Sequence, residues 1–197
     1  MTIDFEKGGG LVPAIVQDAD TLQVLMLGYM TEAAVAKTRE TGLVTFHSRS
    51  RDTLWTKGET SGNTLALVSL EVDCDADTLL VKARPAGPTC HEGTVSCFGD
   101  GGAQGVGFLA YLDGLIRERR AADPSKSYTA KLLQGPLVKT AQKVGEEGME
   151  TALAAVAEPQ EAFIGEAADL LYHLLVLLAA KDVPLAAVLT RLQERHK

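Results

Sequence analysis

The stretch GDGGAQGVG at residues 99–107 separates two parts of the chain that differ in hydrophobic period. Before it, short runs rich in Val, Thr and aromatic residues, such as VTFH at 44–47 and LALVSLEV at 65–72, are typical of strands. After it, apolar residues recur about every 3.6 positions, which indicates helices. A glycine-rich stretch at this change of period predicts a linker between two domains.

We therefore predict a β-rich α+β domain over residues 1–104, including the linker, and an all-α helical bundle over residues 105–197. In the first domain, strands are expected at 11–16, 22–27, 44–47, 53–56, 65–72 and 78–83, with one capped helix from Thr31 to Gly42. In the second domain, helices are expected at 108–122, 137–157, 160–180 and 184–195.

Composition excludes several classes of protein. A formal net charge of −7 argues against a duplex nucleic-acid binder, which presents a basic face. No apolar run reaches the roughly 18 residues of a membrane span, and the start of the chain lacks a signal-like apolar region. Three cysteines without such a start predict a reducing cytoplasm, where thiols serve metals or catalysis. An acidic chain can still hold a phosphate-rich substrate through divalent cations.

The segment DCDAD at residues 73–77 combines soft and hard metal ligands. Strand alternation predicts one apolar face that ends at Cys74, with Asp73 and Glu71 on the opposite face. The residues expected on the apolar face are Ala66, Val68, Leu70, Val72 and Cys74. This arrangement predicts an oxygen-rich cation site at Asp73, Asp75 and Asp77, separate from a thiolate site at Cys74.

Cys90 and Cys97 supply two further thiolates on a loop. Three cysteines and a water make an open zinc site of the catalytic kind, whereas His91 as a fourth ligand would close a structural one. Adjacent Cys90 and His91 are poorly placed to bind one ion together, which favours the open site. The alternative for Cys74 is a small buried hydrophobe.

Polar turns near two of the predicted strands suit phosphate recognition by forked donors and backbone N–H groups. They lie in FHSRSR at 46–51 and LWTKGETSG at 54–62. The candidate substrate-binding residues are His47, Ser48, Arg49, Trp55, Lys57, Gly58, Ser61 and Gly62. Ordinary Ser- and Gly-rich turns are the alternative.

Two predicted helices carry acidic pairs at spacings that stack carboxylates on one face. The carboxylates are Glu146, Glu147 and Glu150 on one helix, and Glu166 and Asp169 on the next. Like charges at these spacings repel, so a bridging Mg²⁺ explains them better than a solvated acidic face. Lys131 and Lys143 are candidate phosphate contacts, with solvated lysine as the alternative. His173 is expected to pack near this site without being a ligand.

Three motifs of the first domain together resemble phosphoribosyl-AMP cyclohydrolase of histidine biosynthesis: WTKGETSG at 55–62, DCDAD at 73–77 and CHEGTVSCF at 90–98. The resemblance implies that zinc is bound by Cys74, Cys90 and Cys97, with Cys74 coming from the second subunit of a homodimer. It implies Mg²⁺ at the three aspartates, proton transfer by His91 and opening of the adenine ring of phosphoribosyl-AMP between N1 and C6. Ala76 stands where glycine is expected.

The second domain resembles phosphoribosyl-ATP pyrophosphohydrolase through SYTAKL at 127–132, KVGEEGME at 143–150 and EAAD at 166–169. The resemblance implies Mg²⁺ held by the five carboxylates, with Glu147 and Glu150 catalytic, and release of pyrophosphate from phosphoribosyl-ATP. Gly148 stands where alanine is expected.

The two resemblances together predict a bifunctional hydrolase that uses zinc and magnesium. One alternative is a general nucleoside-triphosphate pyrophosphohydrolase with a non-catalytic, zinc-stapled first domain. Another is a non-catalytic assembly module.

Overall fold

The computed structural model describes residues 2–99 and 103–196. The chain divides between Phe108 and Leu109 into two compact units. The first unit is rich in strands and the second is helical, in the order that the sequence predicts. Residues 100–102 of the predicted linker lie outside the described residues.

The first unit holds six strands and one helix. They are β1 (Val12–Asp18), β2 (Val24–Met30), α1 (Glu32–Thr41), β3 (Thr45–Ser48), β4 (Thr53–Thr56), β5 (Leu65–Val72) and β6 (Leu79–Pro85). Four strands form a sheet in the order β2-β1-β6-β5, with β1 and β6 parallel and the other neighbours antiparallel. Strands β3 and β4 form a separate antiparallel hairpin.

Helix α1 has the ends that the sequence predicts. The Thr31 side-chain oxygen accepts a hydrogen bond from the Ala34 N–H at 3.2 Å, which satisfies one of the free donors of the first turn. Gly42 ends the helix at φ +70°, a conformation that glycine adopts without steric cost.

The core of the first unit lies against α1 and the inner face of the larger sheet. Along β1, buried and half-buried residues alternate strictly, as expected for a strand with one face in the core. Phe46 of β3 is buried, and its ring lies 5.3 Å from the ring of Trp55 on β4. This aromatic pair packs the small hairpin onto the same core.

The prediction of which residues form the apolar face of β5 is wrong for the first half of the strand. Val68 is 47% exposed, while Leu67, Leu70 and Val72 pack against the core. The register against β6 shifts between Leu67 and Ser69, so an extra residue at this bulge reverses the faces on its two sides. Beyond Val72 the strand has ended, and Cys74 lies exposed in a turn, not on an apolar face.

The helical elements are α2 (Gly107–Glu118), a 3₁₀ turn (Arg119–Ala121), α3 (Tyr128–Gln134), α4 (Leu137–Ala157), α5 (Gln160–Ala180) and α6 (Leu185–Glu194). Helices α4 and α5 have the predicted bounds and pack along each other as a hairpin. Only Glu158 and Pro159 connect them. Helix α3 was not predicted, because seven residues are too few to show a hydrophobic period.

Buried side chains of α2 and α5 form the core of the second unit. Ile116 packs with Leu175, Val176 and Ala179. Arg117 donates a hydrogen bond to the Val183 carbonyl at 2.6 Å, and Arg120 donates one to the carbonyl of Ala179. These two bonds satisfy carbonyl groups at and just beyond the C-terminal end of α5, where intrahelical partners run out.

Helix α5 has the length and hydropathy of a membrane span, with a mean hydropathy of 1.6 over its most apolar window. It also carries Glu166, Asp169 and His173, and it packs along α4 over much of its length. Only 22% of that window is buried within the structure, and length and composition alone are weak support for a span.

Candidate functional site

The loop that carries Cys90 and Cys97 is fixed to strand β2. The Cys97 N–H donates to the Leu25 carbonyl at 2.8 Å, and the buried Ser96 hydroxyl donates to the Val24 carbonyl at 2.8 Å. A turn within the loop is closed by the Cys90 N–H, which donates to the Thr94 carbonyl at 3.0 Å. These hydrogen bonds anchor the loop that carries the two thiols to strand β2.

The thiols of Cys90 and Cys97 contact each other and differ in acidity. Hydrogen bonds from the Glu92 backbone and then from the Thr94 hydroxyl lower the pKa of Cys90. Partial desolvation, followed by the neighbouring Cys90, raises the pKa of Cys97. Cys90 is thus the more acidic of the two thiols, and the thiolate is the form that binds metal.

His91 and Cys74 occupy different places relative to this pair. His91 is exposed, and its Nδ1 lies 3.8 Å from the Cys90 sulfur. Cys74 is also exposed, and among the described residues it does not join Cys90 and Cys97 in a cluster of three ligands. Two soft ligands are therefore together in one chain, and the third is elsewhere.

Asp73, Asp75 and Asp77 come together in the turn after β5, each with one carboxylate oxygen within 4.8 Å of the others. Oδ1 of Asp73 accepts the N–H groups of Asp77 and Thr78, both at 3.0 Å, so its other oxygen is the one left for a cation. Ala76 allows the turn by adopting φ +67°, which explains why glycine is expected at this position. The geometry fits a hard, oxygen-liganded cation.

The β3–β4 hairpin arranges the residues of the first polar motif. His47 lies 3.2 Å from the carboxylate of Asp52, and the Arg49 guanidinium lies 4.0 Å from the centre of the Tyr29 ring. The Ser48 hydroxyl contacts both Ser50 and Arg51 at 3.4 Å. Donors for a phosphate are thus gathered on one hairpin.

The turn after β4 brings the second polar motif towards the thiols. Gly58 has φ +82°, and a Cβ there would lie 2.3 Å from the backbone of Asn63, so only glycine fits. The Ser61 hydroxyl accepts the Asn63 N–H at 3.3 Å, and Gly62 has φ +79°. Lys57 at the start of this turn is close enough to lower the pKa of Cys97 in part, opposing the dominant desolvation.

In the second unit, Glu147, Glu150 and Glu166 each place one oxygen within 4.8 Å of the others. Glu147 is only 5% exposed, which is unusual for a carboxylate. Desolvation raises the pKa of Glu166, and the nearby charges of Glu150 and Glu147 raise it further. Three crowded carboxylates from two helices favour a bridging cation.

The remaining predicted ligands, Glu146 and Asp169, do not belong to this cluster of three among the described residues. Glu146 binds Gln142 at 2.7 Å and Lys143 at 3.2 Å. Asp169 is close enough to contribute to the raised pKa of Glu166. Their roles as metal ligands stay predictions.

Lys143 is the one predicted phosphate contact that touches the carboxylates. Its Nζ lies 3.0 Å from Oε1 of Glu147, and hydrogen bonds to Glu147 and then to Glu146 raise its pKa. The ammonium is therefore firmly charged. It lies within ion-pair distance of both Glu146 and Glu147.

The buried His173 lies beside Glu147 and also contacts the exposed Tyr128. His173 Nδ1 donates to the Asp169 carbonyl at 2.9 Å and lies 3.6 Å from Oε1 of Glu147. The Tyr128 hydroxyl lies 3.2 Å from His173 Nε2. The expectation that His173 packs beside the acidic residues agrees with this geometry. Tyr128 lies in the SYTAKL motif, but the sequence did not indicate its contact with His173.

A cavity of about 470 Å³ adjoins Lys143 and Glu146. Tyr128, Lys131 and Lys139 also line it. Among the residues that the structure describes, neither Lys131 nor Lys139 has a carboxylate within ion-pair distance. The Lys139 ammonium contacts Oε1 of Gln142 at 3.5 Å. Sequence reasoning missed Lys139, although its spacing of four residues from Lys143 on α4 could have revealed it.

Both units match known families. The phosphoribosyl-AMP cyclohydrolase family matches residues 26–99, and the phosphoribosyl-ATP pyrophosphohydrolase family matches residues 109–196. The histidine biosynthesis bifunctional protein HisIE of Xanthomonas axonopodis pv. citri is 56% identical over 100% of this chain and 94% of its own length. The protein of the same name from Salmonella typhimurium is 56% identical over 99% of this chain and 96% of its own length.

The chain belongs to this HisIE family. Membership confirms both resemblances and the order of the two domains. It also confirms that the protein is a hydrolase of histidine biosynthesis with two activities. The loop with Cys90 and Cys97 and the turn with Asp73, Asp75 and Asp77 (the aspartate turn) lie in the part that matches the cyclohydrolase family. The carboxylate cluster of Glu147, Glu150 and Glu166 lies in the part that matches the pyrophosphohydrolase family.

Proposed function

We propose that each unit carries one of two consecutive reactions. The C-terminal unit cleaves phosphoribosyl-ATP to phosphoribosyl-AMP and pyrophosphate. The N-terminal unit then hydrolyses the bond between N1 and C6 of the adenine ring of phosphoribosyl-AMP. The observation that carries this proposal is the presence of one ligand-rich region in each family match, with thiols and aspartates in the first and clustered carboxylates in the second.

For ring opening, Cys90 and Cys97 hold zinc together with a third thiolate, Cys74, supplied by a second copy of the chain. The lowered pKa of Cys90 supports this role, since thiolate is the binding form. Zinc in such a site supplies Lewis acidity that brings the pKa of water towards neutrality. The separation of Cys74 from the other two cysteines supports a site shared between subunits.

His91 moves the proton in this reaction. It is exposed beside Cys90, where substrate can reach it. An imidazole exchanges protons readily near neutral pH. We assign to His91 the delivery of a proton to N1 as the bond from N1 to C6 breaks.

The phosphoribosyl groups are held by the β3–β4 hairpin and the turn that follows it. The proposed contacts are His47, Ser48, Arg49, Trp55, Lys57, Gly58, Ser61 and Gly62. Asp73, Asp75 and Asp77 hold Mg²⁺ nearby, which supplies positive charge to an otherwise acidic turn. The effect of Lys57 on Cys97 supports placing the phosphate-binding turn next to the thiols.

For pyrophosphate release, Glu147, Glu150 and Glu166 hold Mg²⁺, with Glu146 and Asp169 beside them. Magnesium supplies charge that neutralises the phosphate oxygens. Glu147 and Glu150 orient the water that attacks the α–β linkage, and pyrophosphate leaves. Lys131 and Lys143 in the adjoining cavity contact the phosphates, which the charge of that cavity supports.

The functional form is a homodimer. The shared zinc site requires it, and α4 and α5 leave a set of apolar side chains uncovered that a second copy would bury. These side chains are Met149, Leu153, Val156, Ile164 and Leu171, each 47% exposed or more. We place the enzyme in the cytoplasm, with nucleotide substrates and neither a nucleic-acid nor a membrane partner.

The test gives phosphoribosyl-ATP to the purified protein and measures pyrophosphate release and ring opening separately. Cys90→Ala is expected to stop ring opening alone, and Glu147→Gln to stop pyrophosphate release alone. Glu161→Gln, an exposed carboxylate on α5 outside the cluster, is the matched control and should leave both reactions intact. Pyrophosphate release without ring opening in the unmutated protein would favour a general pyrophosphohydrolase whose first domain is non-catalytic.

A further inference from the structure

The ammonium group of Lys7 lies beside the aspartate turn, residues 73–77. Its Nζ is 3.0 Å from Asp75 Oδ2, 3.4 Å from Asp77 Oδ2 and 2.8 Å from the Asp75 carbonyl oxygen. Two of these three oxygens belong to the carboxylates that form the cation site with Asp73. A side chain 68 residues away in sequence therefore occupies the position of a cation.

The segment around Lys7 is held against the same turn. The Asp4 N–H donates to the Ala76 carbonyl at 2.7 Å. The Asp4 carboxylate accepts the N–H groups of Glu6 at 3.0 Å and Lys7 at 3.2 Å, which fixes the backbone that presents Lys7. The contact of Lys7 thus has its own backbone support, unlike a long side chain that happens to reach a surface carboxylate.

A divalent cation and Lys7 require the same oxygens. Coordination of Asp75 and Asp77 at the short distances that Mg²⁺ demands leaves no room for an ammonium between them. Two like charges at this spacing also repel. One of the two cations must therefore leave when the other is bound.

We propose that Lys7 is an intramolecular competitor that sets the affinity of the aspartate turn for a divalent cation. This inference rests on the proposed cation site at Asp73, Asp75 and Asp77. Without a divalent cation, Lys7 neutralises the turn and keeps residues 73–77 in their binding conformation. When the cation binds, Lys7 leaves, while the backbone contact of Asp4 keeps the segment in place.

The expected effect follows from the exposure of the pair. The side chains of Lys7 and Asp75 are 43% and 60% exposed, so water screens their interaction. Exposed pairs of this kind change an equilibrium by up to about fivefold. Removing the ammonium with Lys7→Met should therefore tighten cation binding about two- to fivefold.

The experiment is a titration of the full chain with Mn²⁺, followed by electron paramagnetic resonance of the free ion. Glu147→Gln and Glu150→Gln are present throughout, so that the carboxylate cluster of the second unit does not contribute. Lys82→Met is the matched control, because Lys82 pairs with Glu71 at 2.8 Å, on the neighbouring strands, and has no contact with the aspartates among the described residues. Asp75→Asn shows which part of the Mn²⁺ binding belongs to the site at Asp73, Asp75 and Asp77.

The proposal expects tighter binding for Lys7→Met, a smaller change for Lys82→Met and loss of the site for Asp75→Asn. Equal or weaker binding for Lys7→Met, while Asp75→Asn still abolishes it, overturns the competition but leaves the cation site standing. Binding that Asp75→Asn does not affect, or no binding in this background, overturns the cation site and the competition with it.

Discussion

Replacing Gly148 by alanine should stabilise the helical unit. Gly148 lies in the middle of α4, between the cluster residues Glu147 and Glu150. Its backbone has ordinary helical geometry, and the nearest atom to a new Cβ is Cδ1 of Leu170 at 3.9 Å, an ordinary van der Waals distance. The added methyl group therefore fits into the space that faces α5 without a steric clash.

Most of the expected gain in the free energy of unfolding comes from the lower backbone freedom of alanine. Glycine in a helix interior is less favourable than alanine by about 0.8–1.0 kcal/mol. The contact with Leu170 adds only about 0.1–0.2 kcal/mol for each new atom pair. We expect a gain of about 1 kcal/mol, which for a unit of this size raises the melting temperature by about 4–8 °C.

Two optical signals separate the units. Circular dichroism at 222 nm reports mainly the helical unit, since α1 is the only helix within residues 2–99. Fluorescence reports the first unit, because Trp55 is the only tryptophan of the chain. Gly145→Ala, where a Cβ has no neighbour within 4 Å, is the positive control. Gly135→Ala, whose Cβ would lie 2.9 Å from the Lys131 carbonyl, should be destabilising.

The refuting result is specific. If the circular-dichroism midpoint rises for Gly145→Ala but stays or falls for Gly148→Ala, the space between α4 and α5 does not accept a methyl group. The packing of the helix hairpin beside Glu147 would then be tighter than described.

Three further changes have expected outcomes. Gly28→Ala places a Cβ 2.4 Å from the buried Phe46 ring. We therefore expect the free energy of unfolding to fall by about 1–3 kcal/mol and the unfolding midpoint measured by fluorescence to fall with it. An unchanged midpoint would contradict this contact. In cation-free protein, carbon NMR should show Glu166 binding its proton at higher pH than Glu146, whose pKa Gln142 and then Lys143 lower. Since the folded-state pKa of Glu166 is raised, its contribution to stability is present below the ordinary glutamate pKa and is lost as the pH rises through the raised value. Added Mg²⁺ should lower the pH at which Glu166 binds its proton, because a nearby positive charge favours the carboxylate. Thr89→Val removes a buried hydroxyl that has no hydrogen-bond partner among the described residues. Because this relieves a desolvation cost of about 1–3 kcal/mol, the unfolding midpoint measured by fluorescence should rise. A lower midpoint would mean that the hydroxyl has a hydrogen-bond partner.

The fold was predictable wherever local pattern and packing agree. Helices α4 and α5 have the predicted ends, because Pro136, Glu158 and Pro159 mark them in the sequence and the apolar period between them is long. The face of β5 was not predictable, since its bulge depends on pairing with β6 and no local residue type marks it. Helix α3 was missed because its main signal is a single capping serine, Ser127.

The candidate sites were predictable as residue types but not as contacts. Spacing on α4 and α5 indicated the acidic pairs, and the structure brings Glu147, Glu150 and Glu166 together. Spacing alone cannot say that Glu146 pairs with Lys143 and Gln142. The contact of Lys7 with the aspartate turn crosses most of the first unit in sequence, and no periodic pattern records such a contact.

The short connection of α4 to α5 limits how this protein can change in length. Only Glu158 and Pro159 separate the two helices, whose packing places Glu166 near Glu147. If α5 slid by one residue to absorb an insertion, Glu166 would turn by about 100° around the helix axis, away from its partners. Insertions and deletions at this connection should therefore be eliminated by selection, while substitutions at the exposed Glu158 should be tolerated.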